Sequence, residues 1–259
     1  MKKYYKRIDD RVLDFKLSAA GAVQINGVKW CGKTSTAEQI ANSATSLQDR
    51  QTSVQEIELA QNAPQVFLEG KAPKLIDEWQ VAPNIWNQVR FEVDHRKQNG
   101  QFILTGSATP FYESVYNQNY FHSGVGRISP MLMRTMSLFE TEDSSGVASL
   151  KNLFDNKKFT PHKIKKSLQD YAYLLCRGGW PRALGQRKKV ALEQAHIFFE
   201  GLINRDIAYV FKNERNPERI KRLMRSYSRA ISTETSIAEI VKDLSTNEGE
   251  QFDTRTVSS

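Results

Sequence analysis

Long hydrophobic runs are missing from this 259-residue sequence. A membrane-spanning helix needs about 20 consecutive apolar residues. No such stretch exists, which excludes a membrane span. The basic start Met1-Lys2-Lys3-Tyr4-Tyr5-Lys6-Arg7 runs straight into Ile8-Asp9-Asp10-Arg11 with no apolar segment behind it, so a secretory signal is not expected. Cysteine is scarce. Cys31 and Cys176 are too few for a disulfide framework or a structural zinc site, and they agree with a reducing compartment, so the expected location is cytoplasmic. The four histidines, His95, His122, His162 and His196, have no partner at helical spacing and no cysteine companion, which argues against a transition-metal site. Internal repeats and low-complexity tracts are absent as well.

What is present is an ordinary globular composition, 39% hydrophobic and 25% charged, in a chain long enough for one large domain or two small ones. The net charge of +8 is unevenly spread. Residues 151–225 hold 18 Lys and Arg against 7 Asp and Glu, while the remainder holds 19 against 22. A basic stretch of this kind either touches phosphates, those of nucleic acid or of a nucleotide, or is a set of solvated helix faces. Its clusters are Lys163-Ile164-Lys165-Lys166, Arg187-Lys188-Lys189 and Lys221-Arg222 with Arg225, and each is open to both readings.

The apolar spacing predicts an amphipathic helix over 12–20 and a buried strand over 22–26, then a glycine-bounded loop and a helix over 34–47. A helical stretch near 54–60, a strand over 73–78, a helix over 85–97 and a strand over 101–107 follow, and 131–138 is expected to close the sheet. Strands alternating with helices imply a parallel sheet covered on both faces, an α/β sandwich. The character changes after Pro130, and from about 161 the chain reads as helical and basic. Boundaries are expected near 150 and 230, giving an α/β domain, a basic helical part and a short last segment. In that last segment Thr235-Ser236 is a plausible N-cap for a helix over 237–244, and Asp253-Thr254 starts a second helix, as in the opening of a helix-turn-helix.

Gly27-Val28-Lys29-Trp30-Cys31-Gly32-Lys33-Thr34 fits G-x-x-x-x-G-K-[ST] and sits between a predicted strand and a predicted helix, the context this phosphate-binding motif requires. The glycines let backbone N–H groups face the phosphates, Lys33 neutralises them, and Thr34 is placed to hold Mg²⁺. Trp30 and Cys31 read as fillers, since the backbone does the binding, and Ser35 completes the nucleotide-contacting set. Asp77-Glu78 ends an apolar strand, where α/β sheets place ligands. Asp77 is the expected second ligand of Mg²⁺ and Glu78 the expected base for the attacking water. Thr105, at the end of the next strand, either contacts the γ-phosphate or the attacking water, or merely terminates the strand ahead of Gly106-Ser107. Arg127, in the glycine-flanked run His122-Ser123-Gly124-Val125-Gly126-Arg127, is a candidate arginine finger in cis or from a neighbouring copy; Arg134 competes, and either is equally a salt-bridge former.

Together, residues 27–34, Leu75-Ile76-Asp77-Glu78-Trp79-Gln80, Phe102-Ile103-Leu104-Thr105-Gly106-Ser107-Ala108 and 122–128 resemble the prokaryotic AAA-like ATPases that carry a C-terminal nuclease-like domain of unknown function. The likeness extends to Gly178-Gly179-Trp180-Pro181 and the Asp253-Thr254 segment. It implies an ASCE-type P-loop NTPase domain with a three-layer α/β/α sandwich, a helical lid and a winged-helix-like segment, with ATP and Mg²⁺ as ligands. It also implies adenine contacts from the residues ahead of the first strand, Tyr4, Tyr5, Arg7 and Arg11, without selecting one, and a homo-oligomer in which Arg127 acts in trans. Family members run longer, so the expectation is a chain that stops before the last domain, with an incomplete winged helix, no recognition helix for duplex DNA and an apolar surface where that domain would pack.

The leading expectation is therefore Mg-dependent ATP hydrolysis coupled to movement of the helical part. The alternative from another class is a non-hydrolysing, nucleotide-dependent module that docks DNA or a protein through its basic stretch. A phosphotransferase is disfavoured, because a glutamate beside the Mg²⁺ aspartate suits water activation and a kinase must exclude water.

Overall fold

The computed structural model describes residues 4–49, 51–106, 124–158, 160, 165–207 and 216–248. Five strands form one sheet in the order β2-β3-β4-β1-β5, every neighbouring pair parallel: β1 (Ala22–Asn26), β2 (Ser43–Ser46), β3 (Lys74–Asp77), β4 (Phe102–Thr105) and β5 (Ile128–Leu132). Parallel strands need crossovers, and the helices that supply them cover both faces. On one face α1 (Ile8–Ala19) and α2 (Lys33–Ala37) bury Leu13, Leu17 and Ala37 against Val23, Ile25, Leu75 and Ile103. On the other, α3 (Ser53–Asn62), α4 (Pro64–Phe67) and α5 (Ile85–Arg96) bury Ala60, Phe67, Ile85, Val89 and Val93 against Ala22, Ile76, Phe102 and Leu104. The alternation of Phe102, Ile103 and Leu104 between the two cores is the period of two expected of a strand buried on both sides. The molecule thus has the α/β P-loop sandwich fold with a helical C-terminal part.

Two expected elements are corrected. The helix over 34–47 ends at Ala37, with further turns to Ala41, and Ser43–Ser46 forms β2 instead, pairing with β3 at the sheet edge. A strand of small polar residues carries no apolar pattern, so only its partner reveals it. The closing strand spans Ile128–Leu132 rather than 131–138 and includes Pro130, which an edge strand accommodates because one side of it needs no N–H donor.

Beyond the sheet come α6 (Leu150–Phe154), α7 (Leu168–Arg177), a 3-10 turn at Pro181–Ala183, α8 (Lys188–Gly201) with a π-helical continuation Leu202–Ile207, α9 (Pro217–Arg229) and α10 (Ile237–Asn247). Two compact units divide within α8, Met1–Gln194 and Ala195–Ser259. The stretch after 150 stays with the first unit partly because Gly179 is pressed onto Met136, whose N–H donates to the Gly179 carbonyl at 2.8 Å. A Cβ on Gly179 would collide with the Met136 backbone.

In the second unit, α9 and α10 enclose Ile240 and Leu244 with Leu223. Ser236 caps α10 reciprocally with Glu239, as the Thr235-Ser236 start predicts. The expected second helix at Asp253-Thr254 lies outside the described residues. Among the described residues no helix is long and apolar enough to cross a membrane.

Candidate functional site

The register aligns Ser46, Asp77, Thr105, Ile25 and Met131 in one row at the C-terminal edge of the sheet. The glycine-bounded loop 27–34, the expected phosphate loop, leaves β1 directly beyond this row. Gly32 begins α2 in the left-handed region (φ 105, ψ 17), a conformation that favours glycine. A Cβ on Gly27 would strike the Met133 carbonyl, so the loop closes against the segment after β5. Cys31 is wholly buried under it, and burial pushes its thiol above the usual range. Val28, Lys29, Trp30 and Ser35 are exposed, while Lys33 is buried and donates to the carbonyls of Gly27 (2.9 Å) and Val28 (3.1 Å).

Three side chains from three elements converge. Thr34 Oγ1 donates to Asp77 Oδ1 at 2.9 Å, and Thr105 Oγ1 donates to the same oxygen at 2.5 Å. β4 lies between the strand that carries the loop and the strand that carries the acid, which is why Thr105 reaches Asp77. A hydroxyl beside a carboxylate is the hard oxygen set that suits Mg²⁺, so the residues fit that ion. Among the described residues no group of three or more His, Cys, Asp or Glu could hold a metal. Glu78 is left-handed (φ 59, ψ 42), turns the chain out of β3 into the 3-10 turn Trp79–Val81, and accepts a hydrogen bond from Gln80 Nε2 on its Oε2.

Arg127 is not brought to this site. It precedes β5, where its carbonyl accepts from the Ala22 N–H at the start of β1. That is the opposite edge of the sheet, a strand length of roughly 16 Å from the loop. Its guanidinium pairs with Asp94 at 2.8 Å. The cis-finger expectation for Arg127 is therefore corrected: its glycine neighbours carry no information on which end of β5 it occupies. Arg134 is exposed just past the other end of β5, on the phosphate-loop side. His122, Ser123 and Ser107 lie outside the described residues.

Sequence reasoning left Arg7 unselected, and the structure gives it a definite task. Buried, it donates to the Cys31 carbonyl (2.8 Å), the Arg134 carbonyl (2.8 Å) and Glu140 Oε1 (2.9 Å), tying the start of α1 to the phosphate loop and to the chain after β5. Burial alone would raise the Glu140 carboxyl, but the N–H groups of Ser137 and Ile8, the Ser137 hydroxyl and Arg7 outweigh it and hold it below the usual range. Tyr4 shares a hydrogen bond with Thr36 of α2 and donates to Asp10, and burial followed by that acidic partner pushes its phenol up.

A second feature is the 3-10 turn at Pro181–Ala183, which ends the Gly178-Gly179-Trp180-Pro181 run and whose contacts the sequence does not show. Pro181 Cγ would lie 3.6 Å from a Cβ on Gly32, and the Arg182 guanidinium sits 5.7 Å over the Trp30 ring. Trp30 is thus more than a filler.

Many cations of 151–225 have acidic partners. Lys151 and Lys157 meet Asp155, Lys166 and Arg177 meet Asp143, Lys188 approaches Asp170, Lys221 meets Glu200 and Glu218, and Arg225 meets Glu248. Asp143 and Glu248 fall outside that stretch, so the sequence count overstates its unbalanced charge. His162, Lys163 and Ile164 lie outside the described residues.

Residues 20–142 match the family model of an AAA domain, and residues 168–258 match a domain of unknown function (DUF8612). No curated protein matches the chain. Among solved structures, a Walker-type ATPase of Pyrococcus abyssi superposes with a TM-score of 0.54 at 13% identity, covering 98% of this chain and 87% of that one. AMPPCP-bound DnaA from Aquifex aeolicus reaches a TM-score of 0.37 at 14% identity, covering 96% and 82%. The first of these is a likeness of fold.

Proposed function

We propose that this protein is an AAA-like ATPase that binds ATP with Mg²⁺ at the C-terminal edge of its sheet and hydrolyses it. The observation that carries the reading is the meeting of Thr34 and Thr105 on Asp77 Oδ1, beside a lysine that the loop's own carbonyls hold in place. Thr34 and Asp77 would hold Mg²⁺, which when bound supplies charge neutralisation at the phosphate oxygens. Lys33 would exchange the Gly27 and Val28 carbonyls for phosphate oxygens, with Val28, Lys29, Trp30, Cys31, Gly32 and Ser35 contributing backbone contacts. Glu78 would take a proton from the water that attacks the γ-phosphorus as the bond to the bridging oxygen breaks, leaving ADP and inorganic phosphate. Thr105 keeps Asp77 oriented.

The loop is also touched by Pro181 and Arg182, so a rearrangement on binding would be felt in the helical part. This contact supports coupling of hydrolysis to movement there.

Calorimetric titration of ATP with Mg²⁺ into wild type, Lys33→Ala and Asp77→Asn tests the binding half. Wild type should bind, Lys33→Ala should not, and Asp77→Asn should lose the Mg²⁺ dependence. Equal binding by all three would refute the assignment. A wild type that binds ATP but turns over no faster than Glu78→Gln would instead be the nucleotide-dependent binding module.

A further inference from the structure

Glu78 reaches its pose with the help of a residue that no motif marks. Gln80 Nε2 donates to Glu78 Oε2 at 2.5 Å, a contact made possible by the left-handed Glu78 backbone and the tight turn Trp79–Val81 that follows it. The other end of the same carboxamide is seated on β4's exit. A Cβ on Gly106 would collide with Gln80 Oε1 and would come within 3.2 Å of its Cδ and 3.3 Å of Trp79 Nε1. Gly106 is not among the glycines with positive φ, so it is the Gln80 carboxamide that crowds out a side chain there. Gln80 Oε1 is buried and has no hydrogen-bond partner among the described residues. Buried acceptors without donors are uncommon and cost folding free energy. Among the described residues the carboxamide thus forgoes one hydrogen bond while it presents its NH₂ to Glu78, an arrangement that aims a carboxylate.

We propose that Gln80 is a positioning residue for Glu78, clamped between that carboxylate and Gly106. The inference rests on the reading of Glu78 as the base. With Oε2 held by Gln80, Oε1 is the oxygen left to take the proton, and a carboxylate fixed through one oxygen does not dilute its productive pose among other rotamers. Because Gly106 directly follows Thr105, the clamp also links the base to the strand that orients Asp77.

The test is steady-state turnover and ATP affinity for wild type, Glu78→Gln, Gln80→Ala, Gly106→Ala and the double variant Gln80→Ala/Gly106→Ala. Gln80→Ala should lower kcat about tenfold, a part of the roughly 10²–10⁴-fold that a general base contributes, with KM and ATP affinity unchanged. Gly106→Ala should displace the carboxamide and give a similar loss. The double variant should be little worse than Gln80→Ala alone, because the added methyl then meets only Trp79 Nε1, at 3.3 Å, among the neighbours it had. A merely structural role would instead give losses that add, or that appear in KM and the melting temperature. Gln80→Met, equal in length and without the donor, replaces Gln80→Ala should that variant unfold. Wild-type kcat in Gln80→Ala, beside a dead Glu78→Gln, overturns this inference alone. A wild type no faster than Glu78→Gln overturns the hydrolytic reading and this inference with it.

Discussion

At the sheet edge, hydroxyls from one loop and one strand converge on a single carboxylate oxygen of another strand; along 151–225, cations clustered in sequence are paired with acids at several places in the fold. The first arrangement concentrates chemistry that the sequence scatters over about 70 residues of chain, from Thr34 to Thr105. The second dissolves a concentration that the sequence displays. Function follows convergence in space, and charge counted along the chain is a weaker guide, because an acid from outside the counted stretch cancels a base within it.

The largest effect is expected at Arg7, whose side chain and that of Glu140 are 3% and 5% exposed. Arg7→Ala removes a buried cation from beside that carboxylate, which keeps its Ile8 and Ser137 donors, and takes the guanidinium donor from the Cys31 and Arg134 carbonyls; it should cost about 3–5 kcal/mol in a denaturant titration. Lys33→Ala should follow, weakening ATP binding at least roughly 100-fold, or about 2.7 kcal/mol by calorimetry. Thr105→Ala removes one of two hydroxyl donors to a carboxylate and should lower turnover by roughly 10- to 100-fold, the factor that about 1.5–3 kcal/mol for such a bond converts to. In the second unit the expected signature is one of pH. The Arg229 hydrogen bond, followed by that of Ser226, holds the Asp243 carboxyl down at about 2 against an ordinary 3.8. Its folded-state value is depressed, so its contribution is present above pH 3.8 and is lost as pH falls through about 2. Circular dichroism on acidification should show this loss in wild type and not in Asp243→Asn. The smallest effect belongs to Arg127→Ala, which breaks an exposed pair with Asp94 and should cost under about 1 kcal/mol in thermal melts while leaving turnover intact.

The sheet was legible where burial is two-sided. β1, β3 and β4 appear within two residues of their expected ends because short apolar runs between glycines and turns have few other readings. β2 was not, since Ser43-Ala44-Thr45-Ser46 earns its strand only from pairing with β3. Of the residues that meet at the sheet edge, Lys33, Thr34 and Asp77 were named from spacing, while the bond from Thr105 to Asp77 was in neither reading of Thr105. Arg7 at Cys31, Arg182 over Trp30 and Gln80 against Gly106 were not, because each is a contact between elements whose relative placement no local pattern encodes. The misplacement of Arg127 has the same origin: a motif identifies a residue type in a loop, while the end of the strand it serves is decided by topology.

The most direct test of the account is phosphate release from ATP with Mg²⁺ by wild type and Glu78→Gln, measured side by side at saturating nucleotide. Turnover is expected in wild type, with a loss of roughly 10²–10⁴-fold in Glu78→Gln while ATP stays bound. Equal rates in the two proteins would contradict it.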